Sequence, residues 1–303
     1  MILLDDADAQ RLLDPGTAVG AVRESLIAHH AGTLTAPARL HAGLRAGDLI
    51  FTAGRLAGTC YGFRVYDTMP VPADDQLTVV YDDATGTLVG VVTGPFLGAA
   101  RTGAIGAVAV DVLARADADV VALIGTGRQA WAQLWAIRVV RSLREVRVYS
   151  RDTEHRSAFA RRAHTELGVP AVSAGDPREA VSGADIVVLA TTSPQPVIDP
   201  GWVSAGAHVS TLGPKQEGAH ECPAELGERA GVIVTDSLSQ VDAYPEPFFL
   251  SGAALARMGY LGAVVAGAGQ RRQNRDEITL FCSVGLAGTE VSVAAALLRA
   301  HPG

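Results

Sequence analysis

Cysteine is scarce in this chain, with three in 303 residues: Cys60, Cys222 and Cys282. An odd number without the short paired spacings of metal ligands supports neither a disulfide framework nor a zinc site. The three are expected to be reduced, with Cys282 in an apolar run that reads as core. Aromatic residues make up only 5% of a chain that is 48% hydrophobic, so the core is built mainly from Ala, Val and Leu. Basic residues are the minority, 25 Lys and Arg against 32 Asp and Glu for a formal net charge of −7. No block of them supplies the phosphate-neutralising face that nucleic acid requires. No apolar run reaches the roughly 18 residues of a membrane span. The start, Met1-Ile2-Leu3-Leu4-Asp5-Asp6, lacks the basic region and cleavage site of a signal peptide, so a cytoplasmic location is the expectation. A small molecule is the expected partner.

One stretch carries specific chemistry. The apolar run Asp119 to Ile124 leads into Gly125-Thr126-Gly127-Arg128-Gln129-Ala130. A helical pattern with Ala130, Leu134, Ile137 and Val140 on one face follows, and then Val146 to Arg151. Strand, glycine turn, helix and second strand together form a dinucleotide-binding unit. Its first two glycines permit a tight turn and bring backbone N–H groups to a pyrophosphate at a helix N-terminus, while the small Ala130 allows close helix–strand packing. The end of the second strand selects the cofactor, because an acid there binds the 2′-hydroxyl of NAD and a base accepts the 2′-phosphate of NADP. Here Ser150 and Arg151 stand at that place with Arg156 one turn on, which favours NADP(H) over NAD(H). Asp152 follows at once and keeps NAD open.

Elsewhere the pattern predicts a helix over 16–30 and strands near 49–51, 61–66, 77–81 and 88–92, with a hairpin turn at Asp82 to Gly86. A helix over 97–115 bridges to the dinucleotide unit. Strands then follow near 171–172, 186–190, 207–212, 232–235 and 278–282, with a last helix over 291–298 that lies after the final sheet strand and could fold back on the first domain. Strands grouped first and alternating with helices afterwards predict an α+β domain followed by a doubly wound one. The segment 244–269 gives no clear pattern.

Pro37-Ala38-Arg39, Tyr61-Gly62-Phe63-Arg64, Ala100-Arg101-Thr102-Gly103-Ala104, the glycine turn, Gly183-Ala184-Asp185-Ile186, Gly206-Ala207-His208-Val209 and Ile278 to Ala287 stand in an order and spacing that resembles the ornithine cyclodeaminase/mu-crystallin family over nearly the whole chain. The resemblance implies an α/β fold in which a Rossmann-type doubly wound parallel sheet is inserted into an α+β dimerisation and catalytic domain. Residues 1–112 plus 289–303 would form the substrate-binding and dimerisation domain, and 113–288 the NAD(P)-binding domain, in a homodimer. It further implies a substrate that is an α-amino acid, α-imino acid or cyclic ketimine, its carboxylate held by Arg39 and Arg101. The plainer roles for these residues are a loop charge for Arg39 and a helix cap for Arg101. Expected cofactor contacts beyond the glycine turn are Thr102, Thr191, Thr192, Ser193, Gly213, Ser283 and Gly285.

Three departures from the family pattern bear on chemistry. Arg64 stands where the family has lysine; it anchors a carboxylate but is a poor proton shuttle. Its plainer role is that of a strand residue facing solvent. Lys215, counted back from the acidic landmark Glu221, stands where cyclodeaminases have an aspartate. Like charge from neighbouring arginines is expected to lower its pKa and make it an acid near neutrality. The stretch Leu49-Ile50-Phe51 offers no acid for a distal amine, only Asp48 nearby. The expectation is therefore an NAD(P)H-dependent reductase of imino acids or cyclic ketimines, with Arg64 and Lys215 as catalytic candidates and Arg39, Arg64 and Arg101 as substrate-binding ones. His208 is expected to serve packing. A cyclodeaminase using catalytic NAD, an amino-acid dehydrogenase and a non-enzymatic NADPH-dependent binding protein are the alternatives.

Overall fold

Alternating burial in the first hundred residues builds a seven-stranded sheet. The computed structural model describes residues 1–69, 75–244 and 246–301; the last two residues of the expected first domain, and Pro245 within the segment 244–269, lie outside them. β1 (Ile2–Leu4) is followed by α1 (Asp6–Leu12) and α2 (Pro15–His30), then β2 (Leu34–Thr35), β3 (Leu40–Gly43), β4 (Asp48–Leu56), β5 (Cys60–Asp67), β6 (Leu77–Asp82), β7 (Leu88–Thr93) and α3 (Phe96–Leu113). α2 starts where Asp14 accepts the N–H of Thr17 at 2.9 Å, with Pro15 in the first turn.

The meander from β4 to β7 is antiparallel, as its pattern predicts, but β1 joins β7 in parallel and makes the sheet mixed. Register assigns the faces. Thr52, Arg64, Thr78 and Val92 oppose one another in neighbouring strands and are all buried, whereas Phe51, Val65 and Leu77 form the opposite, more open face.

The second half alternates strand and helix: β8 (Val120–Ile124), α4 (Arg128–Ile137), β9 (Glu145–Tyr149), α5 (Thr153–Leu167), β10 (Ala171–Ser173), α6 (Pro177–Val181), β11 (Ile186–Leu189), β12 (His208–Thr211), the hairpin β13 (Lys215–Gln216) and β14 (Ala219–His220), α7 (Glu225–Arg229), β15 (Ala230–Thr235), α8 (Leu238–Asp242), α9 (Gly252–Ala256), β16 (Gly259–Tyr260), α10 (Leu261–Val265), β17 (Ile278–Cys282) and α11 (Thr289–Ala300). Eight of these strands form one parallel sheet in the order β10-β9-β8-β11-β12-β17-β15-β16. Both of its faces are covered. Val121 and Leu123 join one apolar core while Val120, Ala122 and Ile124 join the other, which is why β8 reads as an unbroken apolar run.

Two helices connect the sheets. α11 returns from the parallel sheet to lie on the inner face of the first, across β4, β5 and β6 and against α2. α3 packs on α4, with Gly103 against the main chain of Ala132. Among the described residues α3 is the one helix long and apolar enough to cross a membrane, but 78% of it is buried inside the protein. Counting apolar runs overlooks it because Arg101 and Thr102 interrupt the run. α4 ends at Ile137, so Val140 lies beyond the helix whose face it was expected to extend.

Candidate active site

The parallel order reverses beside β8, with β9 on one side and β11 on the other, and ligands of doubly wound sheets bind at the carboxyl ends of the strands flanking such a reversal. Gly125, directly after β8, has φ +115°. A Cβ there would collide with the carbonyl of Ala190, which follows β11. Gly127 caps α4 with no side chain over its N-terminus, and the space a Cβ would take there is empty. This open cradle at the start of a ten-residue helix fits a dinucleotide pyrophosphate.

The turn after β9 is arranged around main-chain groups. Ser150 donates its hydroxyl to the carbonyl of Asp152 at 3.0 Å, and Arg156 donates to the carbonyl of Ser150 at 3.0 Å with its guanidinium over the Tyr149 ring. Arg156 thus braces the turn, while Arg151 is exposed. Asp152 caps α5 by accepting the N–H of His155 at 2.9 Å.

Glu221 proves to be more than a landmark. Fully buried, it accepts from the N–H and hydroxyl of Thr191, both at 2.7 Å, through one oxygen. Through the other it accepts from the Thr211 hydroxyl at 3.0 Å and the N–H groups of Leu212 and Gly213 at 2.9 and 2.5 Å. One carboxylate thereby fixes the segments after β11 and β12 that carry the expected cofactor contacts Thr191, Ser193 and Gly213.

Arg39, Arg64 and Arg101 line one cavity of about 360 Å³. The same cavity is lined from the parallel-sheet side by Gln129, Ser283 and Gly285, and from α3 by Thr102. The glycine turn and the three guanidiniums, from distant parts of the sequence, therefore meet. Arg101 is inside α3 rather than at its cap, 4% exposed, and Arg64 is 7% exposed on the inner sheet face rather than turned to solvent. Arg64 bonds Gln76 and lies over the Tyr66 ring at 4.2 Å. Burial, reinforced by the charge of Arg101, pulls its pKa down to about 10, leaving it a cation at neutral pH. Arg39 donates to the carbonyls of Val284 and Gly285 at 2.6 and 3.0 Å. Its Nε, with Nε and Nη1 of Arg101, is buried without a hydrogen-bond partner among the described residues.

Lys215 is placed differently from the sequence expectation. It is 2% exposed, donates to the carbonyl of Gly213 at 2.7 Å, and does not line the cavity. Burial, not like charge, lowers its pKa, and Glu221 works the other way. His208 bonds Thr279 and Ser210, each at 2.9 Å, in a fully buried position that pulls its pKa down to about 3. It serves the packing of β12 on β17.

Two carboxylates were not anticipated. Asp236, buried at the end of β15, accepts the N–H groups of Val284 and Gly285 at 2.7 and 2.8 Å. Glu290, buried at the start of α11, lies 3.6 Å from Arg101 and accepts from Thr52. Burial pushes its carboxyl up, but Arg101, Arg64 and the Thr52 hydroxyl together outweigh that and hold it below its ordinary pKa. For Glu290 the sequence signal is an acid in the first turn of a mostly apolar helix.

The sequence signature of the ornithine cyclodeaminase/mu-crystallin family matches residues 2–299. A Delta(1)-pyrroline-2-carboxylate reductase of Bacillus cereus is 35% identical over 190 residues, 60% of this chain and 57% of that protein. Among the sequence relatives several share this extent, so the chain spans little more than half of their length. The structure of Thermococcus litoralis Delta(1)-pyrroline-2-carboxylate reductase in complex with NADH and L-proline is similar at a TM-score of 0.87 and 26% identity, covering 99% of this chain and 97% of that one. An archaeal alanine dehydrogenase dimer with bound NAD is similar at a TM-score of 0.88 and 27% identity, covering 99% and 95%.

Proposed function

The chain belongs to the ornithine cyclodeaminase/mu-crystallin family, and from that premise we propose that it is an NAD(P)H-dependent reductase of imino acids or cyclic ketimines, producing α-amino acids. The observation that carries the reading is the single cavity shared by Arg39, Arg64 and Arg101 with Gln129 of the glycine turn. Similar proteins include pyrroline-2-carboxylate reductases, one of them solved with NADH and L-proline.

Gly125 to Ala130, Ser150, Arg151 and the Glu221-held segments would hold the dinucleotide. When bound, its nicotinamide supplies the hydride that reduces the C=N bond. Arg101 and Arg39 offer unpartnered N–H groups to the substrate carboxylate, and the planar fork of a guanidinium suits two oxygens. Arg64 binds and polarises but gives up no proton. Because Lys215 lies outside the cavity lining, proton transfer is not assigned to it. A substrate that arrives as a protonated imine already carries the proton its nitrogen needs, and the product amine takes its second from water. The chain's own contribution is orientation of the acid beside the acceptor carbon.

Two finer features belong to the same proposal. NADP(H) is favoured because Ser150 and Arg151 follow β9 while Asp152 is engaged in capping α5. A homodimer is favoured because Leu3, Leu49 and Leu77 are 67, 37 and 38% exposed on the outer sheet face beside the stacked rings of Phe51 and Phe63, and apolar faces of this kind mark association surfaces. An archaeal alanine dehydrogenase of the same fold is a dimer.

The test is NADPH oxidation across a panel of pyrroline and piperideine carboxylates and of keto acids mixed with ammonia or amines. Turnover on at least one of these is expected. Ammonia release from ornithine without net change in nicotinamide absorbance identifies a cyclodeaminase instead, and tight NADPH binding with no turnover identifies a binding protein.

A further inference from the structure

Among the described residues, Glu290 is the carboxylate that pairs with the arginine cluster without lining the cavity. It is fully buried on α11, and its two oxygens face different elements. Oε1 accepts from Thr52 on β4. Oε2 lies 3.6 Å from Arg101 Nε on α3, close enough for an ion pair but too far for a hydrogen bond. Thr52 is the register partner of Arg64 on the inner face of the first sheet, and the charge of Glu290 also acts on Arg64. Arg101, Arg39 and Tyr66 also act on Arg64, and Gln76 accepts a hydrogen bond from it. Without Glu290, Arg64 and Arg101 would be two buried like charges beside a third, Arg39, with no carboxylate paired to them on this side among the described residues.

We propose that Glu290 is a positioning residue for substrate binding: an internal counter-ion, aimed by Thr52, that holds the guanidiniums of Arg64 and Arg101 side by side so that their remaining N–H groups present one receptor to the substrate carboxylate. This rests on the reading of the cavity as an acid-binding site. Glu290 faces the Nε edge of Arg101 at ion-pair distance, while Nη1, which like Nε has no hydrogen-bond partner among the described residues, lies against Gly285 on the cavity wall. The internal carboxylate and the incoming one would thus use different edges of the same fork.

The experiment compares the unaltered protein with Glu290→Gln and Glu290→Ala, measuring KM and kcat for the best imino acid, NADPH affinity, and the response to added formate or formamide. Glu290→Gln keeps the shape and the acceptor for Thr52 but removes the charge. Its KM is expected to rise about tenfold or more with NADPH affinity unchanged. Glu290→Ala leaves a space that a small carboxylate can enter, so low formate should restore part of kcat/KM while neutral formamide does not. In the unaltered protein formate should only inhibit, as a competitor of the substrate. Unchanged kcat/KM in Glu290→Gln, or equal rescue by formate and formamide, overturns the proposal. If both Glu290 variants fail to fold, Thr52→Val, which removes only the aiming hydrogen bond, is expected to raise KM a few-fold, and an unchanged KM overturns it. Failure of the unaltered protein to bind or reduce any imino acid overturns the acid-binding reading itself, an outcome distinct from normal turnover that is indifferent to Glu290.

Discussion

The carboxylate of Asp236 holds the main-chain N–H of Gly285 at 2.8 Å, while Arg39 holds the carbonyl of the same residue at 3.0 Å. The turn after β17 is thus gripped from both sides, and Gly285 sits in it at φ +83°. A Cβ would fall on the Arg39 guanidinium and 2.8 Å from Nη1 of Arg101. Gly285→Ala therefore meets both a backbone cost of about 1–2 kcal/mol in the left-handed region and displacement of two binding groups. Its kcat/KM is expected to fall at least about tenfold with the protein still folded by circular dichroism. Wild-type kinetics in this variant would remove Gly285 from the site.

Arg101 offers the second test. Its Nη1, on the cavity side, is buried without a hydrogen-bond partner among the described residues, an arrangement that leaves a donor for a ligand. Arg101→Ala is expected to lower kcat/KM by roughly two to three orders of magnitude, since removing one partner of a buried charge pair costs about 2–5 kcal/mol, while NADPH affinity by fluorescence titration stays within about twofold. Arg101→Lys should recover only part, because an ammonium lacks the planar fork. Activity and affinity both untouched would show that the acid binds elsewhere.

These two tests rest on features of unequal legibility. The glycine turn and β8 were readable because close backbone approach and burial on both faces leave local marks: Gly125, Gly127 and a run of apolar residues. Arg39, Arg64 and Arg101 were found through short motifs, although only the fold shows that three points so far apart in sequence share one cavity. Asp236 leaves no local mark and Glu290 only an acid at the start of a mostly apolar helix, since their meaning lies in partners at Thr52 and Arg101, and at Gly285, in other elements. Lys215 differs from expectation in its setting, because burial and not like charge lowers its pKa. It is the only lysine in the chain, and nothing in its neighbours announces that the hairpin of β13 and β14 turns it inward to a carbonyl. Strand β1 escaped notice because three residues at an edge carry too little periodicity to read.

Cofactor choice is tested at the turn after β9. Arg151 is exposed there and Asp152 is occupied as the cap of α5. Arg151→Ala is expected to weaken NADPH about tenfold relative to NADH, the size of one lost charge-assisted contact to a phosphate. Equal affinities for the two dinucleotides in the unaltered protein would overturn the NADP preference. Asp152→Ala should instead lower stability through the lost cap, read as a lower midpoint in urea.

Acid sensitivity follows from His208. Burial first, then the charges of Arg272 and Arg141, pull its pKa down to about 3 in the folded protein, whereas an unfolded histidine titrates near 6.5. Between those values the unfolded chain binds a proton that the folded chain refuses, so stability rises with pH across this window and is flat above it. At pH 5 the deficit relative to pH 7.5 is about 2 kcal/mol for this one group. The ring bonds Thr279 and Ser210, at 2.9 Å each, and protonation would leave a charge in the middle of a parallel sheet. Urea unfolding of the unaltered protein and of His208→Asn at the two pH values isolates the effect. The variant, though less stable at pH 7.5, should lose less on acidification, by about the same 2 kcal/mol. An identical pH slope in both proteins would mean that His208 is already charged in the fold.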